Sequence, residues 1–252
     1  MELAKKIRSN FNKIFVFLQK IDSSSNLKKR IIISAILIPL AVIAIFFSPS
    51  LFLFLLLGIA FLMTYEWVNI TKVAENQKKW LLFGFCYVVI PLFSVLKIQQ
   101  ITSCKIDDAS FSTSGSSIVF WMFSIIWATD IFAFFAGKYF GGPKIAPSIS
   151  PNKTWAGLAG GVSASCCIGI ISGLIFSGSI FFFIVISALL SLIEQVSDFL
   201  ESKIKRLFGV RDSSNIIPGH GGVLDRLDGL VLVAPMVWLL VLIFPQQFGI
   251  CF

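Results

Sequence analysis

Residues 194–228 read EQVSDFLESKIKRLFGVRDSSNIIPGHGGVLDRLD. This stretch holds six of the chain's thirteen acids (Glu194, Asp198, Glu201, Asp212, Asp225 and Asp228), its single histidine, His220, and five basic residues. On either side the chain turns apolar, over 180–197 before it and 229–248 after it. A helix needs about 20 largely apolar residues to cross the bilayer core. The stretch therefore reads as a charged island between two membrane spans. A membrane protein that gathers its charge in one segment has a reason in its chemistry, because charge near lipid is costly.

Moving outward, five more stretches are apolar enough to span: 31–47, 51–70, 81–96, 118–136 and 157–176. Composition agrees. Of 252 residues, 56% are hydrophobic and 27 are Phe, only 13% are charged, and mean hydropathy is +0.89. A soluble fold could not cover that much apolar surface. The expectation is an all-α, polytopic integral membrane protein with about seven transmembrane helices, folded as one membrane domain over 1–252. Before residue 21, Ile7, Phe11, Ile14, Phe15 and Leu18 recur at helical spacing among Lys5, Lys6, Arg8 and Lys13. This predicts an N-terminal amphipathic helix in the headgroup layer, within an interfacial segment 1–30. The first spans then occupy 31–136, and the half that carries both charged loops occupies 137–252.

Lys and Arg concentrate in cytoplasmic loops. With the N-terminus inside, 19 of the 21 basic residues fall in inner segments, and only Lys97 and Lys105 lie outside. That split puts both charged loops on the cytoplasmic face. The net charge of +8 is spread over short loops rather than one surface, which suits anionic headgroups and a phosphorylated substrate and excludes nucleic acid as the partner. Five cysteines without a CxxC pair read as packing residues.

The earlier charged loop runs from Asp130, deep in an apolar span, through Gly137-Lys138, Gly141-Gly142 and Lys144 to SPNKTW at 150–155 and Gly157. Glycines let a backbone approach a bulky anion, and Lys and Ser/Thr supply donors to phosphate. A Pro/Gly-rich loop that merely follows the distribution of basic residues explains it equally well. For Asp130, a structural acid paired with a neighbouring Lys is the alternative. The later loop is more specific. Glu194, Asp198, Glu201, Ser202 and Lys205 share one helical face, and Asp225 and Asp228 follow a Gly-rich turn at i, i+3. Carboxylates converging from two segments make an oxygen cage suited to Mg²⁺, which bridges protein acids to substrate phosphates. A lone His220 without His or Cys companions argues against zinc.

Ser202-Lys-Ile-Lys205-Arg206, then Arg211-Asp212, then Pro218-Gly-His220-Gly221-Gly222-Val-Leu-Asp225-Arg226-Leu-Asp228 resembles the signature of the phosphatidate cytidylyltransferases, also called CDP-diacylglycerol synthases. The block from Asp130 to Gly157 is similar to a second recurring segment of that family. Arg211 stands where Lys is usual, Phe134 where Tyr is expected, and Ala156 where Glu or Gln is common. The resemblance implies that CTP and phosphatidate give CDP-diacylglycerol and pyrophosphate, with Mg²⁺ as cofactor. It implies Asp198, Asp225 and Asp228 as metal ligands, with Glu201 nearby. Lys205, Arg206 and Arg226 would neutralise phosphates, and Ser202 would donate to them. His220 would either donate to phosphate or shape the turn. Substrate contacts would come from Lys144, Ser150, Lys153, Thr154, Arg211 and the backbone of Gly221 and Gly222. The enzyme would sit in the cell inner membrane if bacterial, its active site facing the cytoplasm, and a homodimer is compatible with it. Two rivals differ in kind: a CTP-using polyprenol or phytol kinase, which would release CDP, and a transporter coupled through Asp130 and Glu194.

Overall fold

A computed structural model of the chain describes residues 39–101, 114–176, 178–214, 216 and 221–250. The expected amphipathic helix before residue 21, residues 31–38 of the first expected span, and His220 lie outside the described residues. Among those described, six helices are long and apolar enough to cross a membrane. They are α1 (Pro49–Thr71), α2 (Gln77–Gln99), α3 (Gly115–Phe140), α4 (Trp155–Ile175), α5 (Ile180–Leu207), and the pair α6 (Leu224–Leu227) and α7 (Leu230–Ile243), which together form the last span. Residues 39–47 are helical as well and precede α1. The chain is an all-α polytopic membrane protein.

Polar caps set where these helices begin. Ser48 accepts from Leu51 N ahead of Pro49, Asn76 from Lys79 N, Ser114 from Ser117 N, Thr154 from Gly157 N, and Ser179 from Phe182 N. Each cap satisfies one of the amide groups that a helix start leaves without a partner. Four helices therefore begin two to four residues before their hydropathy windows (α1 at 49, α2 at 77, α3 at 115, α4 at 155). At the other end α5 runs on to Leu207, ten residues past its apolar window, so the part of its charged face from Asp198 onward lies beyond that window.

Between α3 and α4 the chain forms a feature the sequence reading leaves as a loop: an antiparallel hairpin of β1 (Lys144–Ala146) and β2 (Ser150–Thr154), with Lys144 opposite Thr154. Pro147 and Pro151 and the lack of alternating apolar residues hide it from pattern reading.

The outer surface is apolar, and several polar groups lie inside the bundle. Phe47, Phe54, Phe61 and Phe181 are more than 70% exposed on the outer surface, while Glu66, Thr129, Ser165, Ser187, Ser191 and Glu194 are wholly buried. Lipid solvates the outer aromatics, and the polar groups turn inward. Thr129 Oγ lies 2.8 Å from Ser165 Oγ and 3.0 Å from Ser191 Oγ, joining α3, α4 and α5. Small residues let these helices close. A Cβ on Gly157 would stand 2.8 Å from the Ala133 carbonyl oxygen, and one on Gly169 would stand 2.6 Å from that of Phe183.

The bundle has two unlike ends. At one, Gly115 N donates to Ile101 O, Ser179 N donates to Gln247 Oε1, and Trp121, Phe176, Phe183 and Phe248 form an aromatic cluster. At the other, the C-terminal ends of α1, α3 and α5 meet the starts of α2, α4 and α6. Trp67 Nε1 donates to Trp80 O at 2.8 Å, and Trp80 packs edge-on against Phe208. Every described Lys and Arg except Lys97 belongs to this second end.

Candidate active site

The charged face of α5 forms one wall of that end. Glu194 is wholly buried and accepts from Gln195 Nε2 at 2.8 Å; its Oε1 has no hydrogen-bond partner among the described residues. One turn on, Asp198 pairs with Lys153, which β2 delivers from the hairpin and which also lies 4.8 Å over the Phe199 ring. Ser202 Oγ donates to Asp198 Oδ1 at 3.2 Å. At the next turn Lys205 contacts Glu201 at 3.2 Å and Asp225 at 2.6 Å. Thus Lys153 from the first motif and Asp198 from the second, far apart in sequence, meet at one place. Asp130 projects into the same region, within electrostatic reach of Glu194, Asp198, Lys153 and Arg226.

The opposite wall is the start of the last span. Asp225 accepts from Lys205 Nζ at 2.6 Å, from Ser213 N at 2.9 and 3.2 Å, and from Gly222 N at 2.7 Å. Its carboxylate thus closes the loop that carries it. Gly221, at φ +83°, provides the left-handed backbone turn this closure needs. Asp228 is tied at its backbone, where Ser197 Oγ donates to its carbonyl, while Gly229 N donates to its Oδ1 at 2.8 Å. Asp228 lies within electrostatic reach of Asp198 and Asp130 and beside Glu201.

The remaining expected residues divide by location. Arg226 lies in the site with Asp130 in electrostatic reach. Lys144 is exposed and Ser150 partly buried, both on the hairpin. Thr154 is buried and caps α4. Gly222 directs its N–H at Asp225 rather than into open space. Arg206 donates to Val210 O at 2.9 Å and closes the end of α5, and Arg211 is exposed on the following loop. Phe134 is exposed with Lys138 over its ring at 5.4 Å, and Ala156 is half-buried in the first turn of α4.

For a metal, the donor set is hard oxygen. Among the described residues no three acids, thiols or imidazoles stand at the spacing of a single ion's ligands. Asp225 in particular spends its oxygens on Lys205, Ser213 and Gly222. Asp198, which already meets Lys153 and Ser202, lies within electrostatic reach of Asp228, and the buried Glu201 carboxylate, 3.2 Å from Lys205 Nζ, has oxygens without a hydrogen-bond partner among the described residues. The donor chemistry, hard carboxylate oxygen, is of the kind Mg²⁺ takes, since that ion keeps waters and binds one or two protein acids plus phosphate oxygens.

One acid at this end belongs to neither motif. Glu66, near the end of α1, is wholly buried and accepts from Ser214 Oγ at 2.5 Å, Val223 N at 2.9 Å and Leu224 N at 2.8 Å. The sequence reading places it inside a span and gives it no role. A carboxylate in an apolar run is the signal that could have found it.

Comparison with known proteins fits this arrangement. The model of a family described as "Cytidylyltransferase family" matches residues 28–106 and 106–244. A protein of Rickettsia felis named phosphatidate cytidylyltransferase is 38% identical over 222 residues, covering 84% of this chain and 91% of the relative. One of Rickettsia bellii with the same name is 36% identical over 230 residues, covering 88% and 93%. A Brucella abortus protein so named is 37% identical over 194 residues, covering 77% and 66%. With both motif loops and nearly all the spans inside the match, this chain belongs to the cytidylyltransferase family.

Proposed function

We propose that this protein is a CTP:phosphatidate cytidylyltransferase that makes CDP-diacylglycerol and pyrophosphate for phospholipid synthesis. The observation that carries the reading is the meeting of Lys153, Asp198, Lys205, Asp225 and Asp228 at one polar end of a bundle whose outer surface is apolar. The names of the relatives agree with it.

In this reaction a phosphate oxygen of phosphatidate attacks the α-phosphorus of CTP, and the bond to the bridging oxygen of the β-phosphate breaks. The nucleophile is already anionic, so no strong base is required. The protein must bring two anions together and orient them, which is positioning and electrostatics. Lys153, Lys205 and Arg226 supply positive field, while Asp198 and Asp225 hold the two lysines in place. Asp198 and Asp228, with Glu201 beside them, would hold Mg²⁺. When bound, Mg²⁺ neutralises phosphate charge and favours departure of pyrophosphate. The acyl chains remain beside the apolar outer faces, with the headgroup level with the α5 charges. We place this end on the cytoplasmic side of the inner membrane, because the basic loops gather there.

The test follows the label from CTP with purified protein in phosphatidate-containing nanodiscs. α-Phosphate label should enter lipid, and γ-label should leave as pyrophosphate. Transfer of γ-label to lipid with release of CDP would support a kinase instead. Absence of any lipid product would reject both.

A further inference from the structure

Glu66 grips the signature loop at two separate points at once. Its Oε1 accepts from Ser214 Oγ and Val223 N and its Oε2 from Leu224 N, at 2.5–2.9 Å. The three donors lie 148 to 158 residues further along the chain. Asp225 makes a second tie within the loop, accepting from both Ser213 N and Gly222 N. The loop is thus stapled twice, by its own acid and by one from a different span. Room for the second staple depends on Gly222, where a Cβ would stand 2.7 Å from both Glu66 oxygens.

All three partners are donors, so the site calls for a group that only accepts, and two amides at a helix start favour negative charge. An amide of the same size would turn its NH₂ toward a donor and leave buried groups unpaired. The holding point is itself fixed. Trp67, the next residue, donates to Trp80 O and stacks on Tyr87 with ring centroids 4.9 Å apart. The groups that follow the grip within four residues are Asp225, Arg226 and Asp228.

We propose that Glu66 is a positioning residue for cytidylyl transfer: from α1 it fixes the start of the last span, and thereby sets Asp225, Arg226 and Asp228 against α5. This rests on the reading of the site given above. It gives the N-terminal spans, which carry neither motif, a direct part in shaping the site.

The test compares wild type, Glu66→Gln and Ser214→Ala in phosphatidate-containing nanodiscs. Three quantities are measured: hydrogen exchange of the Val223 and Leu224 amides, melting temperature, and CTP saturation. In Glu66→Gln, exchange at those amides should rise roughly tenfold or more, as expected for losing a charge-assisted bond, while peptides of α3 and α4 keep wild-type protection. Its kcat should fall by about tenfold or more, with the KM for CTP shifting much less. Ser214→Ala removes one bond of three and should show the same pattern, more weakly. A folded Glu66→Gln with kcat within about twofold of wild type, or with unchanged exchange at 223 and 224, overturns the proposal. If Glu66→Gln does not fold, Ser214→Ala decides: unchanged exchange and kcat there overturn it, and a local rise with lower kcat supports it. A wild type that makes no CDP-diacylglycerol would sink the enzymatic reading, yet the exchange result would still report whether Glu66 holds the loop.

Discussion

Lys205 on α5 and Asp225 at the start of the last span lie 2.6 Å apart, although 20 residues separate them in sequence. The same ammonium reaches Glu201 at 3.2 Å, so one cation serves two acids that are almost fully buried. This asymmetry has a consequence for mutants. Lys205→Met strands two carboxylates, whereas Asp225→Asn leaves the Lys205–Glu201 pair intact. Breaking a buried pair by removing one partner costs about 3–5 kcal/mol. Lys205→Met should therefore lower the melting temperature more than Asp225→Asn. Equal melting temperatures would show that the Glu201 contact contributes little.

Mg²⁺ dependence should track Asp228 and Asp198 more closely than Asp225. Asp228→Asn should abolish nearly all turnover without unfolding the protein, because an amide keeps the volume but loses the charge that attracts the ion. Wild-type activity should vanish with chelator and return with Mg²⁺. Asp225→Asn should also be nearly inactive, but through loss of its loop contacts. Near-normal turnover of Asp228→Asn at limiting Mg²⁺ would remove that residue from the metal site.

Arg211 is exposed, and among the described residues no ion pair joins it to Asp212. We propose that it meets the substrate. Arg211→Lys should cost little if the position supplies only positive field, while Arg211→Ala should raise the apparent KM for CTP. Loss of one charge-assisted phosphate contact is worth about 1.5–3 kcal/mol, or roughly ten- to hundred-fold. Melting temperature should stay constant. An unchanged CTP curve for Arg211→Ala would take the residue out of the substrate site.

The hairpin and the signature loop should face the same compartment. Cysteines placed at Ser148 and Asp212, both exposed, should react with impermeant thiol reagents only from the cytoplasmic side, and one at Ser114 only from outside. Labelling of 148 and 212 from opposite sides would break the single-site arrangement.

The sequence by itself determined the class of fold, six of the expected spans and the two charged motifs. Those features are local: a run of apolar residues is a helix in lipid because no other backbone conformation satisfies its own hydrogen bonds there. The carboxylate face of α5 was equally legible, since helical periodicity alone aligns Asp198, Glu201 and Lys205. Helix ends were less so, because hydropathy does not register a single Ser or Asn that caps the first turn. What only the tertiary structure decided is which partners each charge takes. Asp225, expected as a metal ligand, accepts from Lys205, Ser213 and Gly222, partners that no spacing announces. Lys153 finds Asp198 because a hairpin without an alternating pattern carries it there. Glu66 reads as a stray acid until α1 is packed beside α6, where amides more than 150 residues away turn toward it. A buried charge must be matched by whatever donors the fold brings to it, and sequence spacing carries no record of that match.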